Sequence, residues 1–141
     1  MTVACFGHKD TPSDIKPRLE QEIVHLIEEN EDITILVGTH GSFDGMVQKM
    51  LKNLAPRYPN MNYHIVLAYL PVKREENNFE GLPTMLPEGI ENVPKKLAIS
   101  YRNDFMVREC DAVICYITHD WGGAARFVEK ARRQGKRIIN L

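Results

Sequence analysis

The stretch that decides the fold is Cys110-Asp-Ala-Val-Ile-Cys-Tyr-Ile-Thr-His-Asp-Trp-Gly-Gly-Ala-Ala-Arg-Phe-Val-Glu129. Residues 112–117 are almost all apolar and rich in β-branched side chains, which is typical of a strand buried on both faces. After Gly122 and Gly123, apolar residues recur at the spacing of a helix that packs on a sheet: Ala124, Phe127, Val128 and Ala131. The free N–H groups at such a helix start suit an anion such as phosphate. The same glycine pair is also expected in a tight turn between a strand and a helix that binds no ligand.

The rest of the chain alternates strand and helix patterns. Further strands are predicted at residues 2–6, 33–37, 63–69 and 136–141. This alternation predicts an α/β, Rossmann-like, doubly wound parallel sheet of five strands in the order 3-2-1-4-5, with helices on both faces. Ligands of such sheets bind outside the carboxyl ends of the strands, at the switch point between strands 1 and 4. Three turns converge there, which favours the anion site: residues 7–10, 38–44 and 118–123.

Residues 70–98 lose this regularity. Four prolines interrupt the segment, and no helix or strand period is visible: Pro71, Pro83, Pro87 and Pro94. A long irregular loop inside a compact domain is commonly a lid over a ligand or an interface arm. The whole chain, residues 1–141, is otherwise expected to form a single domain.

Composition narrows the classes of partner and location. The formal charge of −1 gives no electrostatic reason to expect nucleic acid or an acidic membrane. No apolar run reaches 18 residues and no basic leader precedes the first strand, so we expect a cytoplasmic protein that does not enter a membrane. We expect no metal site, because Cys110 and Cys115 stand five strand residues apart, roughly 16 Å, too far to share one zinc ion.

Two common phosphate-binding fingerprints are missing. The turn after the first strand lacks G-x-G-x-x-G, which argues against an ordinary dinucleotide dehydrogenase. The chain also lacks G-x-x-x-x-G-K-[ST], so it is not expected to be a P-loop nucleoside triphosphatase.

Four motifs, in order along the whole chain, resemble those of the SLOG superfamily, which is named after the Smf/DprA DNA-processing proteins and the Lonely Guy phosphoribohydrolases. The resemblance is greatest to its YpsA-like branch. Gly7-His8-Lys9 resembles the family's Gly-His-Arg, and Gly38-Thr-His-Gly-Ser-Phe-Asp44 resembles its glycine-rich turn that ends in aspartate. Arg102-Asn-Asp-Phe-Met106 and Gly122-Gly-Ala-Ala125 match its C-terminal half. Ser42 stands where this branch usually has a second glycine.

The resemblance implies a Rossmann-like protein that binds a nucleotide or nucleotide-derived ligand, with no other cofactor. A homo-oligomer is compatible with it. The ligand-binding residues that it implies, together with those in the converging turns, are Gly7, His8, Gly38, Thr39, Gly41, Ser42, Asp44, Arg102, Asn103, Trp121, Gly122, Gly123 and Ala124.

Two other functions follow from other branches. Lonely Guy enzymes carry P-G-G-x-G-T-x-x-E, and residues 121–129 keep the glycine pair and Glu129 but lose the Gly-Thr. Carried over, Glu129 and Arg102 would be the catalytic pair of a nucleoside 5′-monophosphate phosphoribohydrolase; the alternative for Glu129 is a solvated ion cluster on its helix. Single-stranded DNA binding, as in the Smf branch, is the least favoured reading, because of the net charge.

The roles of individual residues stay open from sequence. Arg102, expected at a helix start, could hold phosphate or form a surface ion pair. Asp44 could accept from a ribose hydroxyl or cap its helix, and His8 could donate to phosphate or serve only in the turn. Trp121 could stack on a base or pack under the long loop. Aspartate in place of Gly122 is expected to preserve the fold while repelling a bound phosphate.

Overall fold

The computed structural model describes residues 1–69, 79 and 81–141. Its elements alternate as the sequence predicts. The strands are β1 (Thr2–Gly7), β2 (Ile33–Val37), β3 (Met61–Val66), β4 (Thr84–Met85), β5 (Ala112–Tyr116) and β6 (Arg137–Asn140). The α-helices are α1 (Lys16–Glu29), α2 (Gly41–Leu54), α3 (Ala98–Glu109) and α4 (Gly123–Arg133). Short 3₁₀ turns lie at Ser13–Ile15, Ala55–Arg57, Ile90–Asn92 and Lys95–Leu97.

The described strands form one parallel sheet in the order β4-β3-β2-β1-β5-β6. The prediction of a Rossmann-like parallel α/β sheet is confirmed, and the five predicted strands hold their predicted relative order. The count of five is wrong, because Thr84 and Met85 add a sixth strand at the edge by pairing with Ile65 and Val66. Two residues are too few to show an alternating pattern, so this strand could be found only from its pairing with β3.

The second half of the segment predicted as an irregular loop, residues 70–98, contains short elements. Besides β4, this part contains the two 3₁₀ turns Ile90–Asn92 and Lys95–Leu97, and α3 begins directly at Ala98. The prolines break these elements into pieces of two or three residues, which is why periodicity could not reveal them. Residues 70–78 and 80 lie outside the described residues, so the lid or interface role expected of this segment stays a prediction.

Alternate residues of the central strands face two separate apolar clusters. Val3 and Cys5 of β1 pack in the cluster that contains the buried residues of α1 and α2. Ala4 and Phe6 pack in the cluster that contains those of α3 and α4. Successive side chains of a strand point to opposite faces, so the two clusters lie on opposite faces of the sheet, and the predicted placement of helices on both faces is confirmed.

The close approach of α2 to β1 explains Gly7. A Cβ atom built on Gly7 would lie 2.2 Å from Cγ of Phe43, a ring that is fully buried in the first cluster. The last residue of β1 therefore lacks a side chain because the Phe43 ring occupies that space. This contact fixes the start of α2 against the carboxyl end of β1, where the three predicted turns meet.

We expect Gly7→Ala to destabilise the protein by about 1–3 kcal/mol, because the added methyl group overpacks a rigid core contact. Gly45→Ala is the matched control, since Gly45 lies inside α2 with no atom within 4 Å of a Cβ built there. That control should raise stability by up to about 1 kcal/mol through helix propensity alone. Urea unfolding of both variants measures the difference, and equal stabilities would contradict the tight fit between Gly7 and Phe43.

Candidate functional site

A cavity of about 410 Å³ opens at the carboxyl ends of β1, β2 and β5. This volume is within the usual range of small-molecule sites. The cavity lies at the switch point, where β1 pairs with β2 on one side and with β5 on the other. Its described lining comes from the three turns and from α3: Phe6, Gly7, His8, Lys9, Asp10, His40, Asp44, Ile99, Arg102, Asn103, His119, Trp121, Gly122, Gly123 and Ala124.

Nine of the residues proposed from sequence line this cavity: Gly7, His8, Asp44, Arg102, Asn103, Trp121, Gly122, Gly123 and Ala124. The other four residues lie in the turn after β2, outside the described lining of the cavity: Gly38, Thr39, Gly41 and Ser42. The Ser42 N–H group donates to the Lys9 carbonyl at 2.8 Å, and its hydroxyl donates to the Thr11 carbonyl at 2.9 Å. Ser42 therefore ties the turn after β2 to the turn after β1.

Arg102 is the largest polar side chain buried at the site, with only 2% of its surface exposed. Arg102 lies in the second turn of α3, so the prediction that it lies at the start of a helix is wrong. Nη1 donates to the Val66 carbonyl at 2.9 Å and to the Thr39 hydroxyl at 3.2 Å, while Nε donates to Oδ1 of Asn103 at 2.8 Å. Among the described residues it forms no ion pair, so the surface ion pair considered from sequence is absent there.

The remaining nitrogen of this guanidinium is Nη2. It donates to no described residue. Arg102 itself lines the cavity. Burial lowers the pKa of Arg102, and the nearby Asp44 carboxyl opposes this effect. A desolvated guanidinium whose Nη2 has no acceptor among the described residues is suited to bind an anion.

Asp44 lies in the first turn of α2 and is 8% exposed. Its Oδ2 accepts a hydrogen bond from the His40 N–H at 2.9 Å. The helix-capping role considered from sequence is wrong, because His40 is the N-cap and no side chain caps the first N–H groups of α2. Burial raises the pKa of Asp44 to about 6, while the hydrogen bond from His40 and the charge of Arg102 act in the opposite direction. Contact with a ribose hydroxyl stays a prediction.

The start of α4 is open toward the cavity. Gly122 caps the helix with φ 96° and ψ 171°, a combination that is essentially restricted to glycine. The Gly122 carbonyl accepts the Arg126 N–H at 3.1 Å, but no side chain caps the first N–H groups of the helix. Gly123 and Ala124 line the cavity, so these N–H groups lie at its wall.

Three stacked rings form another wall of the cavity. The His8 and His119 ring centroids are 3.7 Å apart, and those of His119 and Trp121 are 3.8 Å apart. Nε2 of His8 accepts the Thr118 N–H at 3.1 Å, which requires an unprotonated Nε2. Burial and the neighbouring His119 lower the pKa of His8, while Asp10 opposes them. His119 was not predicted as a site residue; its position in the converging turn after β5 was the available signal.

Glu129 does not line this cavity. It lies on α4 beside a separate groove, whose described lining includes Arg126, Lys130 and Arg133. Its carboxylate pairs with Arg132 and, at 3.4 Å, with Arg133. The solvated ion cluster expected on this helix is therefore observed, with Arg132 in place of Arg126. The structure does not bring Glu129 and Arg102 into one described cavity.

Two further observations concern metals and membranes. The described residues include no group of three His, Cys, Asp or Glu side chains arranged to hold a metal ion. Cys5, Cys110 and Cys115 are buried free thiols. Within the described part of the chain, no helix combines the length and apolarity needed to cross a membrane.

The fold is similar to that of DNA processing protein A (DprA) from two bacteria. The Streptococcus pneumoniae protein matches with a TM-score of 0.70 and 17% identity, over 99% of this chain and 49% of that chain. The Helicobacter pylori protein, whose structure addresses its single-stranded DNA binding mode, matches with a TM-score of 0.67 and 14% identity, over 99% of this chain and 64% of that chain. The DprA-like fold expected from the motifs is thus confirmed, while membership of the SLOG superfamily and of its YpsA-like branch stays a prediction.

The chain spans about half and about two thirds of these two proteins. No protein-family model matches the chain, and no curated protein sequence matches it.

The raised pKa of Asp44 predicts in which direction the stability of the protein changes with pH. Its carboxyl ionises near pH 4 in the unfolded chain but near pH 6 in the folded protein, so its ionisation favours unfolding as the pH rises through this window. Two pKa units correspond to about 3 kcal/mol. Asp44→Asn removes this ionisation, so its stability relative to the parent should increase by about that amount between pH 4 and pH 7.

Urea unfolding at pH 4, 5, 6 and 7 measures the effect. Glu31→Gln, a change on the surface, serves as control and should alter stability by no more than about 0.5 kcal/mol. A pH-independent difference between Asp44→Asn and the parent would contradict a raised pKa of Asp44 in the folded protein.

Proposed function

We propose that the protein binds a nucleotide or nucleotide-derived ligand in the cavity at the switch point. Its phosphate would lie between the start of α4 and Arg102, and its sugar would lie near Asp44. The observation that carries this proposal is the buried guanidinium of Arg102, which lines the same cavity as the first residues of α4 and has no ion pair among the described residues.

The two groups recognise phosphate in complementary ways. The N–H groups at the start of α4 offer donors and the positive end of the helix dipole. Arg102 offers a full positive charge that is already held by Val66, Thr39 and Asn103, so little side-chain entropy is lost on binding. A bound phosphate would also balance the charge of a guanidinium that has no ion pair among the described residues.

The rest of the cavity is suited to a sugar and a base. Asp44 is a carboxylate acceptor on the wall formed by the turn after β2, near the place proposed for the ribose. The Trp121 ring, which stacks on His119, provides the flat surface that nucleobases favour. A volume of about 410 Å³ is of the size that small-molecule ligands occupy.

Single-stranded DNA binding is a second candidate, because basic residues are concentrated in one part of the chain although the net charge is −1. Residues 126–137 contain six basic residues and one acidic residue: Arg126, Lys130, Arg132, Arg133, Lys136, Arg137 and Glu129. The groove along α4 that several of them line also includes Gly122, so it borders the cavity. Asp104 and Glu129 pair with part of this charge, which favours the mononucleotide. Titration with a labelled thymidine oligonucleotide at two salt concentrations separates the two candidates.

The phosphoribohydrolase alternative needs a carboxylate beside the ribosyl centre, and Glu129 lies on the other groove. We therefore expect no free base above the no-protein control when the protein is incubated with a panel of nucleoside monophosphates. We also expect Glu129→Ala to bind nucleotide with the affinity of the parent. Chromatography of the products and calorimetry measure the two quantities. Base release that disappears in Glu129→Ala would establish the hydrolase instead.

An introduced aspartate tests the phosphate position. The site suggested by sequence, Gly122, is wrong for this purpose, because its backbone conformation would strain any other residue. Gly123 lies one residue inside α4, and a Cβ built there has no atom within 4 Å. A carboxylate in this first turn stabilises the helix by about 0.3–1 kcal/mol, so Gly123→Asp should melt near the temperature of the parent.

The same carboxylate would lie roughly 5 Å from a bound phosphate. At an effective dielectric constant of about 20, the repulsion is about 3 kcal/mol per unit charge, so nucleotide affinity should fall about a hundredfold. Gly123→Asn has the same size without the charge and should lose little affinity. Isothermal titration calorimetry with adenosine monophosphate, guided by native mass spectrometry for a co-purified nucleotide, makes the comparison. A folded Gly123→Asp protein with parental affinity would exclude phosphate from this turn.

A further inference from the structure

We propose that Trp121 determines specificity for the base of the ligand, as the outer ring of a stack in which His119 lies between Trp121 and His8. This inference rests on the proposed nucleotide site and names the part of the ligand that the stack recognises. A nucleotide would be bound in preference to the sugar phosphate that lacks a base.

The three rings are nearly parallel. The planes of His8 and His119 differ by 16°, and those of His119 and Trp121 differ by 15°. Together with centroid distances of 3.7 and 3.8 Å, this is the spacing of stacked aromatic systems. The exposed fraction increases outward, from 7% at His8 to 69% at Trp121. The stack thus extends from the buried end of β1 to solvent.

Hydrogen bonds hold the His8 and His119 rings in place. The Thr118 N–H donates to Nε2 of His8, and Nδ1 of His119 donates to the Trp121 carbonyl at 2.9 Å. Both bonds connect a ring to the backbone of the turn after β5, so the rings keep their orientation without a ligand. Preorganised rings bind a base with a smaller loss of entropy than mobile ones.

The outer ring of the stack, Trp121, is largely exposed to solvent. Trp121 is the most exposed large apolar side chain among the described residues, although it belongs to the cavity wall. Trp121 also precedes the start of α4 by two residues, so its Cα atom lies within about 7 Å of that of Gly123. One ligand could therefore contact the stack through its base and the helix through its phosphate, with the ribose between them.

Stacking also indicates the type of base. Every nucleobase has a π face, so a stack recognises ring area rather than a hydrogen-bonding pattern. The purines present two fused rings, and we expect them to bind more tightly than pyrimidines. The ligand class that this geometry assigns is a purine nucleoside phosphate.

The experiment compares adenosine monophosphate with ribose 5-phosphate by isothermal titration calorimetry. Trp121→Leu should lower the affinity for adenosine monophosphate by about 10- to 100-fold, in line with measured base–aromatic stacking. Its affinity for ribose 5-phosphate should change by less than about threefold. Trp121→Phe and His119→Phe, which keep a ring, should lose much less than Trp121→Leu and His119→Leu.

The outcomes separate this inference from the function on which it rests. A parent protein that binds both compounds with equal affinity, or a Trp121→Leu protein that loses both equally, would overturn the role of the stack while leaving the phosphate site intact. A parent that binds neither compound would overturn both proposals. Trp121 is largely exposed, so its variants should fold; because it is the sole tryptophan, quenching of parent fluorescence by adenosine monophosphate and not by ribose 5-phosphate would add independent support.

Discussion

The site depends on the buried guanidinium of Arg102. Its hydrogen bonds join the end of β3, the turn after β2 and α3, through Val66, Thr39 and Asn103. Burying a positive charge is costly, and these three acceptors offset only part of the cost. Among the described residues, the guanidinium has no ion pair and its Nη2 has no acceptor. A ligand that brings negative charge is therefore the natural complement, and the same residue links the stability of the fold to its proposed function.

Close packing brings the other groups to this cation. The Phe43 ring fits over Gly7 and so fixes the start of α2 against β1. Ser42 then joins the turns after β1 and β2 through two hydrogen bonds. On the other side of β1, Thr118 binds His8 and so positions the turn that leads to α4. Residues that do not line the cavity thus determine its shape.

The distribution of charge is as informative as its total. The net charge of −1 argued against nucleic acid as a partner, yet residues 126–137 carry six basic side chains and one acidic one. For Glu129, a motif suggested catalysis, and this role stays a prediction. Its carboxylate is held by Arg132 and Arg133 on a groove outside the cavity, because the helical repeat directs it away from the face that packs on the sheet.

The sequence by itself determined the class of fold, the relative order of the five main strands and the three turns that meet at the site. Those features follow from apolar periodicity and from the handedness of strand–helix–strand units, both of which are local. Tertiary structure alone decided the pairing of Thr84 and Met85, the buried contacts of Arg102, and the stacking of His119 between His8 and Trp121. Each of these joins residues that are distant in the chain or too few to form a pattern, so only packing could reveal them.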